Sequence, residues 1–413
     1  MTRTRFAPSP TGSLHIGSLR TAIYAYALAK HDNGQFLLRI EDTDQKREVK
    51  GAKEELIEIL KKFNLHWDKE PIIQSQRATT NVYRQAAEKI VELGYAYEDQ
   101  GAIRLKVPKN EKITFHDFII RKDISWESNQ VPDAVLLKSD GFPTYHLASV
   151  VDDNESKITH VIRSVEWLPS TPIHILIYRS LGYELPNIGH PTAILDPEGG
   201  KLSKRKGNVS VEDFLSKGYL PEALLNFVIL LGWAPKDNRE LFTLEEFVQA
   251  FTIEGFQKSN PMLDLKKLDW FNGYYIRHKP DDELLQLVKD YLEFETTDEK
   301  LLAIIPLVKE RATALADMAD MMRFFFVTPE LQEVNRQHIQ AAMDIVSKSP
   351  WTKTDIESGL LQKVKDNDWK TGDFFMSLRL AICGSKVTPP LTESMLILGK
   401  DEVLARLTAH AQK

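Results

Sequence analysis

The sequence is poor in several features that define whole classes of protein. Its single cysteine, Cys383, excludes an intrachain disulfide framework and a zinc site built from several thiolates. The longest apolar stretches, around residues 227–231 and 301–308, are far shorter than the roughly 20 residues that span a bilayer. The N-terminal residues lack the apolar core of a signal peptide. We therefore expect a soluble protein of a reducing compartment, the cytoplasm, with no membrane partner.

An excess of basic charge is also missing. The 413 residues include 53 Lys and Arg against 59 Asp and Glu, which gives a net charge of −6. This balance excludes a histone-like mode of nucleic-acid binding, but it leaves room for a local basic groove. Residues 1–280 carry 37 basic and 37 acidic side chains, so the whole deficit lies in residues 281–413. The polar break around Pro280 coincides with this change and predicts a domain boundary.

The periods of the apolar residues predict the fold class. Residues 2–6 and 36–40 are typical of strands, and the apolar positions between them share one face of a helix. Alternation of this kind is typical of a doubly wound parallel sheet, which makes the first part a Rossmann-like α/β domain. Residues from about 72 to 145 break the rhythm and predict a small α+β insertion. The chain after Pro280 is almost entirely helical by period.

A first chemical signal lies where a strand is followed by a helix, at residues 8–18. Two prolines and Gly12 favour an extended loop, and Gly17 places no Cβ above a ligand. Backbone N–H groups at a helix N-terminus attract phosphate, and His15 can donate a hydrogen bond to a phosphate oxygen. Alone, a His-x-Gly match is more often a structural turn with a surface histidine.

A second signal is a glycine-flanked basic segment at residues 199–207. It contains four cations within six positions, namely Lys201, Lys204, Arg205 and Lys206. Such a loop can close over a polyphosphate and stabilise the charge that develops on a leaving pyrophosphate. By itself it is more often a solvated basic loop.

Together the two signals resemble the paired signature motifs of class I aminoacyl-tRNA synthetases. From residue 2 to about residue 407 the chain resembles the bacterial glutamyl-tRNA synthetases, most closely at residues 5–12, 38–44, 142–148, 219–224 and 389–404. The resemblance implies a class I catalytic domain over 1–280, with the insertion at about 72–145 and a helical stem region at about 240–280. It implies a helical anticodon-binding region over 281–413. It also implies that ATP with Mg²⁺ activates L-glutamate, that tRNA(Glu) accepts it, and that the protein is a monomer.

The resemblance assigns site residues by matching positions. It implies catalytic roles for His15, Gly17, Lys201, Ser203 and Lys204. It implies ATP contacts for Thr11, His15, Gly17, Glu166, Leu195 and Lys204. It implies glutamate contacts for Arg5, Ala7, Ser9, Glu41, Tyr145, Ser149, Arg163 and Trp167. In this scheme Arg163 reads the side-chain carboxylate and Glu41 the α-ammonium, and guanidinium groups suit carboxylates.

Departures from the family pattern concern the pocket and the insertion. Ser149 stands where the family usually has Asn, and Val165 replaces one of two acids. Many relatives carry a zinc-binding cysteine cluster after the position of Tyr97, which is absent here. A zinc knuckle needs about four N or S ligands, which His116 alone cannot supply. We therefore expect a shortened insertion without zinc.

Four further histidines invite a metal hypothesis, but their spacings fit no common ligand pattern. These are His146, His160, His174 and His190. No metal site is therefore predicted.

The helical third offers candidates for an RNA surface. A basic strip is predicted from Lys363, Lys365, Lys370, Arg379 and Lys386. Trp369, Phe374 and Phe375 lie close to these cations and could stack on bases, but for the two phenylalanines helix core is at least as good an interpretation.

Three other functions compete with the synthetase interpretation. A nucleotidyltransferase that adenylates a small acid without tRNA would not need residues 281–413. A truncated paralogue that glutamylates a modified tRNA base lacks that helical region. A tRNA-binding scaffold on a decayed fold is disfavoured by the intact signatures around His15 and Lys204. Whether tRNA(Gln) is also charged is left open by the sequence.

Overall fold

Ten strands form within residues 1–44, 46–200 and 209–412, which are the residues that this computed structural model describes. The strands are β1 (Arg3–Phe6), β2 (Gln35–Ile40), β3 (Ile72–Ile73), β4 (Ala96–Asp99), β5 (Ala102–Leu105), β6 (Lys112–Asp117), β7 (Lys122–Glu127), β8 (Val135–Leu137), β9 (His160–Ile162) and β10 (Asn187–Gly189).

Eighteen α-helices lie in the same described residues. In the first two thirds of the chain they are α1 (Ile16–His31), α2 (Ala52–Lys62), α3 (Gln74–Ala78), α4 (Val82–Glu92), α5 (Tyr145–Glu155), α6 (Thr171–Leu181), α7 (Val211–Ser216), α8 (Pro221–Ile229) and α9 (Leu244–Ala250). The remainder are α10 (Leu265–His278), α11 (Asp281–Val288), α12 (Asp298–Val308), α13 (Leu315–Arg323), α14 (Arg336–Lys348), α15 (Lys353–Asp366), α16 (Thr371–Cys383), α17 (Leu391–Leu398) and α18 (Lys400–Gln412). Within the described ranges, none of the helices has both the length and the apolar composition needed to cross a membrane.

Parallel pairing builds the main sheet, which lies in the first of two compact units (Met1–Ser216 with Pro221–Leu265). β1, β2 and β3 are parallel neighbours in that order. β10 pairs in parallel with both β9 and β6. The N–H of Thr159 donates to the carbonyl of Arg3 at 2.9 Å, so the two groups of strands lie side by side. The doubly wound α/β class expected from the alternating periods is confirmed.

The segment expected as an insertion divides into two parts. β4, β5 and β8 form a separate antiparallel sheet, and residues of α4 such as Tyr83 and Ile90 belong to the same buried core as Leu136 of β8. The β6–β7 hairpin instead extends the main sheet, because Asp117 of β6 lies in register with Ile188 of β10. A period of two identifies a strand but not its partner, so this pairing depends on the tertiary fold.

The second compact unit, Lys217–Leu220 with Lys266–Lys413, contains only helices among its described elements. α10 packs with it, because the buried side chain of Asn272 accepts the N–H of Leu220 at 2.8 Å and donates to the carbonyl of Thr313 at 2.6 Å. The packing boundary therefore precedes α10. The break at Pro280 lies between α10 and α11, inside the second compact unit.

Two residues proposed for an RNA surface have structural roles in this unit. Phe374 is fully buried in the core of the last helices and stacks on Trp369, with ring centroids 5.7 Å apart. The helix-core interpretation is therefore the right one for Phe374. Arg379 donates from Nη1 to the carbonyl of Pro389 at 2.9 Å and so holds the loop before α17. Lys365 and Lys370 are exposed and remain candidates for a basic strip.

Candidate active site

Charged side chains collect at the carboxyl ends of the parallel strands. Arg5 lies near the end of β1, Glu41 follows β2 directly, and Arg163 follows β9 directly. α5 presents Tyr145 and Ser149 one turn apart, so that both lie on one helix face. Ligands of open α/β sheets bind at this edge, where loops diverge from the strand ends.

Two arginines share one buried carboxylate in this region. Arg5 donates from Nε to Oδ1 of Asp153 at 3.1 Å, and Arg39 donates from Nη1 to the same oxygen at 2.5 Å. Arg39 also donates from Nη2 to Oε1 of Glu41 at 2.9 Å and to Oγ of Ser149 at 3.2 Å. The side chains of these residues are almost completely buried.

This network leaves two groups of opposite charge unused. No hydrogen bond to a described residue is made by the Nη atoms of Arg5 or by Oε2 of Glu41. Burial raises the pKa of Glu41, although Arg39 and Arg5 oppose the shift. Burial would raise the pKa of Asp153 too, but Arg39 and Arg5 hold it below its usual value. The arrangement offers a guanidinium face and a carboxylate oxygen to a ligand.

Arg163 is a buried cation whose hydrogen-bond partners among the described residues are all neutral acceptors. Its side chain donates from Nε to Nε2 of His190 at 3.1 Å and from Nη2 to Oγ1 of Thr171 at 2.8 Å. Nη1 lies 3.1 Å from the hydroxyl of Tyr145 and 3.3 Å from Nδ1 of His174. The residue is only 5% exposed, and among the described residues it has no acidic partner. A desolvated guanidinium without a carboxylate is costly, and it can be neutralised by the carboxylate of a ligand.

Aromatic rings border the Arg163 guanidinium. The rings of Tyr145 and Trp167 lie 4.4 Å apart between centroids, and those of Tyr145 and His174 lie 5.1 Å apart. Burial, followed by the charge of Arg163, lowers the pKa of His146 to about 4. The pKa of His174 is lowered well below its usual value by burial and by nearby cations, of which Arg163 contributes most. Both imidazoles are therefore neutral near pH 7 and can accept hydrogen bonds.

The start of α1 carries the first sequence signal. Nδ1 of His15 accepts the N–H of Gly17 at 3.0 Å, so a neutral ring in this geometry carries its proton on Nε2. A Cβ at Gly17 would approach Nδ1 of His15 to 3.3 Å, which explains why a glycine is suited to this turn.

The basic segment lies largely outside the described residues, which include neither Lys201 nor Ser203 nor Lys204. The described chain resumes at Val209, five positions after Lys204. There the carbonyl of Val209 accepts the N–H of Ile16 at 3.1 Å. The tertiary fold therefore places Val209, two positions beyond the basic segment, against the helix that carries the first signal.

The remaining residues expected to contact ligands lie in loops and in one 3₁₀ turn. The N–H of Thr11 donates to the carbonyl of Ser9 at 2.9 Å, which closes a turn in the loop that also contains Ala7. The N–H of Leu195 donates to the carbonyl of Pro261 at 2.8 Å, so its backbone donor is occupied. Glu166 and Trp167 lie in an exposed 3₁₀ turn, Val165–Ser170, directly after Arg163.

Comparison with known proteins gives the family. The family model for the catalytic domain of class I tRNA synthetases of the E and Q type matches residues 1–102 and 98–270. A model described as an anticodon binding domain matches residues 283–411. A glutamate–tRNA ligase of Borrelia duttonii is 36% identical over 98% of this chain and 94% of its own length. The chain belongs to the glutamate–tRNA ligase family of class I tRNA synthetases.

Other members of the family agree over the full length of the chain. The glutamate–tRNA ligase of Finegoldia magna is 36% identical over 98% of this chain and 98% of its own. The crystal structure of a glutamate tRNA ligase from Elizabethkingia meningosepticum, in complex with its amino acid, superposes with a TM-score of 0.86 at 32% identity. That match covers 100% of this chain and 99% of the other. The resemblance inferred from the motifs is thus confirmed, and enzymes of this family use ATP.

Several organising residues of this candidate site were missed by sequence reasoning. Arg39 of β2 lies two positions before Glu41, which follows the strand directly, and Asp153 lies four positions after Ser149 on α5, so strand and helix periods could have found both. Asp117 and His190 gave no such signal. They come from β6 and from the end of β10, and only the sheet brings them to Arg163.

Proposed function

We propose that this chain attaches L-glutamate to tRNA(Glu) in two ATP-dependent steps. The α-carboxylate of glutamate attacks the α-phosphorus of ATP, which releases pyrophosphate and forms glutamyl-adenylate. The 3′-terminal ribose hydroxyl of the tRNA then attacks the activated carbonyl and releases AMP. The observation that carries the choice of amino acid is Arg163, a buried guanidinium whose described partners are all neutral.

The charges of the pocket complement those of glutamate. The substrate has two carboxylates and one ammonium, and the site offers the guanidinium of Arg163, the Nη atoms of Arg5 and the free Oε2 of Glu41. We assign the side-chain carboxylate to Arg163 and the α-ammonium to Glu41. The rings of Tyr145 and Trp167 then border the methylene groups. Residues Ala7, Ser9 and Ser149 complete the proposed glutamate contacts.

The polyphosphate of ATP is assigned to the start of α1 and to the basic segment. His15 and Gly17 would face the phosphates, together with Lys201, Ser203 and Lys204 of the segment that the structure does not describe. Thr11, Glu166 and Leu195 would contact the rest of the nucleotide. Catalysis then comes from positioning and from stabilisation of the charge on the leaving pyrophosphate. Mg²⁺ would be held by the ATP phosphates, since no group of three His, Cys, Asp or Glu in the described ranges could hold a metal ion.

The insertion is proposed to be short and free of zinc. The alignment with the Borrelia duttonii ligase spans 479 positions, so at least 66 of them have no residue in this 413-residue chain. The two matches of the catalytic family model meet at residues 98–102, directly after Tyr97. These observations support a deletion at the place where many relatives carry the zinc-binding cysteines.

The other partners follow from the family. We propose residues 1–280 as the catalytic domain and residues 281–413 as the region that reads the anticodon of tRNA(Glu), a monomer acting in the cytoplasm. The anticodon assignment is supported by the family model that matches residues 283–411.

Pyrophosphate exchange, measured with and without tRNA and followed by charging of labelled glutamate, tests the proposed function. We expect exchange that depends on glutamate and on tRNA(Glu), and formation of glutamyl-tRNA. Exchange without tRNA and without charging would instead support a nucleotidyltransferase. Tight tRNA binding without either reaction would support a scaffold.

A further inference from the structure

Three buried side chains form a line behind the proposed glutamate pocket. Asp117 ends β6, His190 follows β10 and Arg163 follows β9, and these are three adjacent strands of the parallel sheet. Oδ2 of Asp117 lies 2.6 Å from Nδ1 of His190, and Nε2 of His190 lies 3.1 Å from Nε of Arg163. Asp117 and His190 are completely buried, so water does not compete for these bonds.

The hydrogen bonds fix a direction along this line. Oδ1 of Asp117 accepts the N–H groups of Ile119 at 3.0 Å and Ile120 at 2.8 Å, which locks the carboxylate in the turn between β6 and β7. Oδ2 is therefore left to accept the Nδ1–H of His190. Since a guanidinium can only donate, Nε2 of His190 must offer its lone pair to Arg163. A single imidazole tautomer satisfies both neighbours.

The imidazole also keeps a negative charge away from Arg163. A carboxylate in direct contact would pair with the guanidinium and would repel the carboxylate of a substrate. With His190 between them, Asp117 contributes orientation while the charge of Arg163 stays available. The other acceptors, the hydroxyls of Tyr145 and Thr171 and Nδ1 of His174, are neutral as well.

We propose that Asp117 and His190 are positioning residues for the selection of the amino acid. Asp117 fixes the tautomer of His190, and His190 fixes the orientation of the guanidinium of Arg163. The inference rests on the proposed role of Arg163 as reader of the side-chain carboxylate.

The decisive variant is Asp117→Asn, which has the same shape. The amide oxygen of the asparagine can still accept hydrogen bonds from the backbone N–H groups of Ile119 and Ile120. Its NH₂ group then faces Nδ1 of His190. The imidazole must move its proton to Nε2, and an N–H of His190 then opposes the N–H of Arg163, as in other sites where a histidine is forced into the wrong tautomer. We expect KM for glutamate to rise by about tenfold or more while KM for ATP stays within about twofold, since only an amino-acid contact is weakened. The preference for glutamate over glutamine should fall.

A matched control lies on the same hairpin. His116 and Asp123 form the same kind of bond, with Nδ1 and Oδ1 2.7 Å apart, but both side chains are exposed. Asp123→Asn should leave both KM values and the amino-acid preference unchanged.

A second pair of variants separates positioning from packing. In His190→Gln the amide oxygen is as many bonds from Cβ as Nε2, so it can still accept from Arg163. His190→Met has a similar length but lacks that acceptor. We expect the Gln variant to retain a lower KM for glutamate than the Met variant at similar melting temperatures.

The possible outcomes are distinct. If the wild-type protein does not charge glutamate, the proposed function fails. If it does, and Asp117→Asn behaves like Asp123→Asn, the positioning role is refuted although the function stands. Should Asp117→Asn fail to fold, the ¹⁵N shifts of the wild-type imidazole decide. A proton on Nδ1 of His190 supports the proposal, and a proton on Nε2 overturns it.

Discussion

Replacing Arg163 by glutamine tests how this site chooses its amino acid. The substitution removes the guanidinium that lies at the end of β9 and donates to the hydroxyl of Tyr145. Glutamine retains an amide that can bond Thr171 or His190, so the neighbours keep a partner, but the positive charge is gone. We expect Arg163→Gln to lose most of its kcat/KM for charging with glutamate. The ratio of kcat/KM for glutamate to that for glutamine should narrow or reverse.

The magnitude follows from burial and from the absence of an internal acid. Arg163 is 5% exposed and its four partners in the described chain are neutral, so a bound carboxylate would be the first charge to pair with it. Removing one member of a desolvated charge pair costs about 2–5 kcal/mol, because the remaining charge is buried without a partner. At 1.4 kcal/mol per factor of ten, kcat/KM for glutamate should fall by roughly 30-fold to several thousand-fold.

The assay is kcat/KM for charging with glutamate and with glutamine at saturating tRNA. Arg5→Gln provides a contrast, because Arg5 bonds Asp153 and offers its Nη atoms to groups that both amino acids possess. Arg5→Gln should lower kcat/KM for glutamate and for glutamine by similar factors. Arg179→Gln is the surface control, since Arg179 is exposed on α6 and pairs with Glu111. It should leave the kinetics unchanged.

Equal losses for glutamate and glutamine in Arg163→Gln would refute the assignment of the side-chain carboxylate to this arginine. Unchanged kinetics in a folded variant would place the glutamate pocket elsewhere.

Three further predictions concern the basic segment, zinc and pH. Lys204→Ala should leave folding intact and lower kcat more than it raises KM, with a loss of about 2–4 kcal/mol in transition-state stabilisation measured by pyrophosphate exchange. The purified protein should contain no stoichiometric zinc by elemental analysis, and a chelator should not lower its melting temperature, because its one cysteine lies far from the insertion. Stability should fall between pH 6.5 and pH 4. His146 stays neutral there when folded, with a pKa of about 4, whereas the unfolded chain takes up a proton near pH 6.5.

A specific result would contradict each of these three predictions. Unchanged pyrophosphate exchange in a folded Lys204→Ala variant would contradict the proposed role of the basic segment. Zinc bound at one ion per chain would contradict the proposal that the insertion is free of zinc. The loss of stability on acidification is at most about 1.4 kcal/mol per pH unit for one proton. Calorimetry at pH 7 and pH 5 should show a smaller loss of stability in His146→Gln than in the wild-type protein. An equal loss in the two proteins would exclude His146 as a source of the pH dependence.

The sequence by itself determined the fold class and most of the residues proposed to contact glutamate. Period two and period 3.6 are properties of neighbouring residues, so the strands at Arg5 and Glu41 and the helix after His15 were predictable locally. The motifs at His15 and Lys204 then identified the family, because two independent signals were consistent with one chemistry.

Only the tertiary structure decided which residues contact and orient the side chain of Arg163. Asp117 and His190 are 73 positions apart and reach Arg163 through the pairing of β6, β10 and β9. The sequence offers His190 only as a metal-ligand candidate whose spacing fits no common pattern, and no local period distinguishes a packed histidine from one that orients an arginine. Strand order is set by the burial of whole sheet faces and by crossovers. A buried polar group finds its partner only once that order exists, so its role cannot be read from its neighbours in sequence.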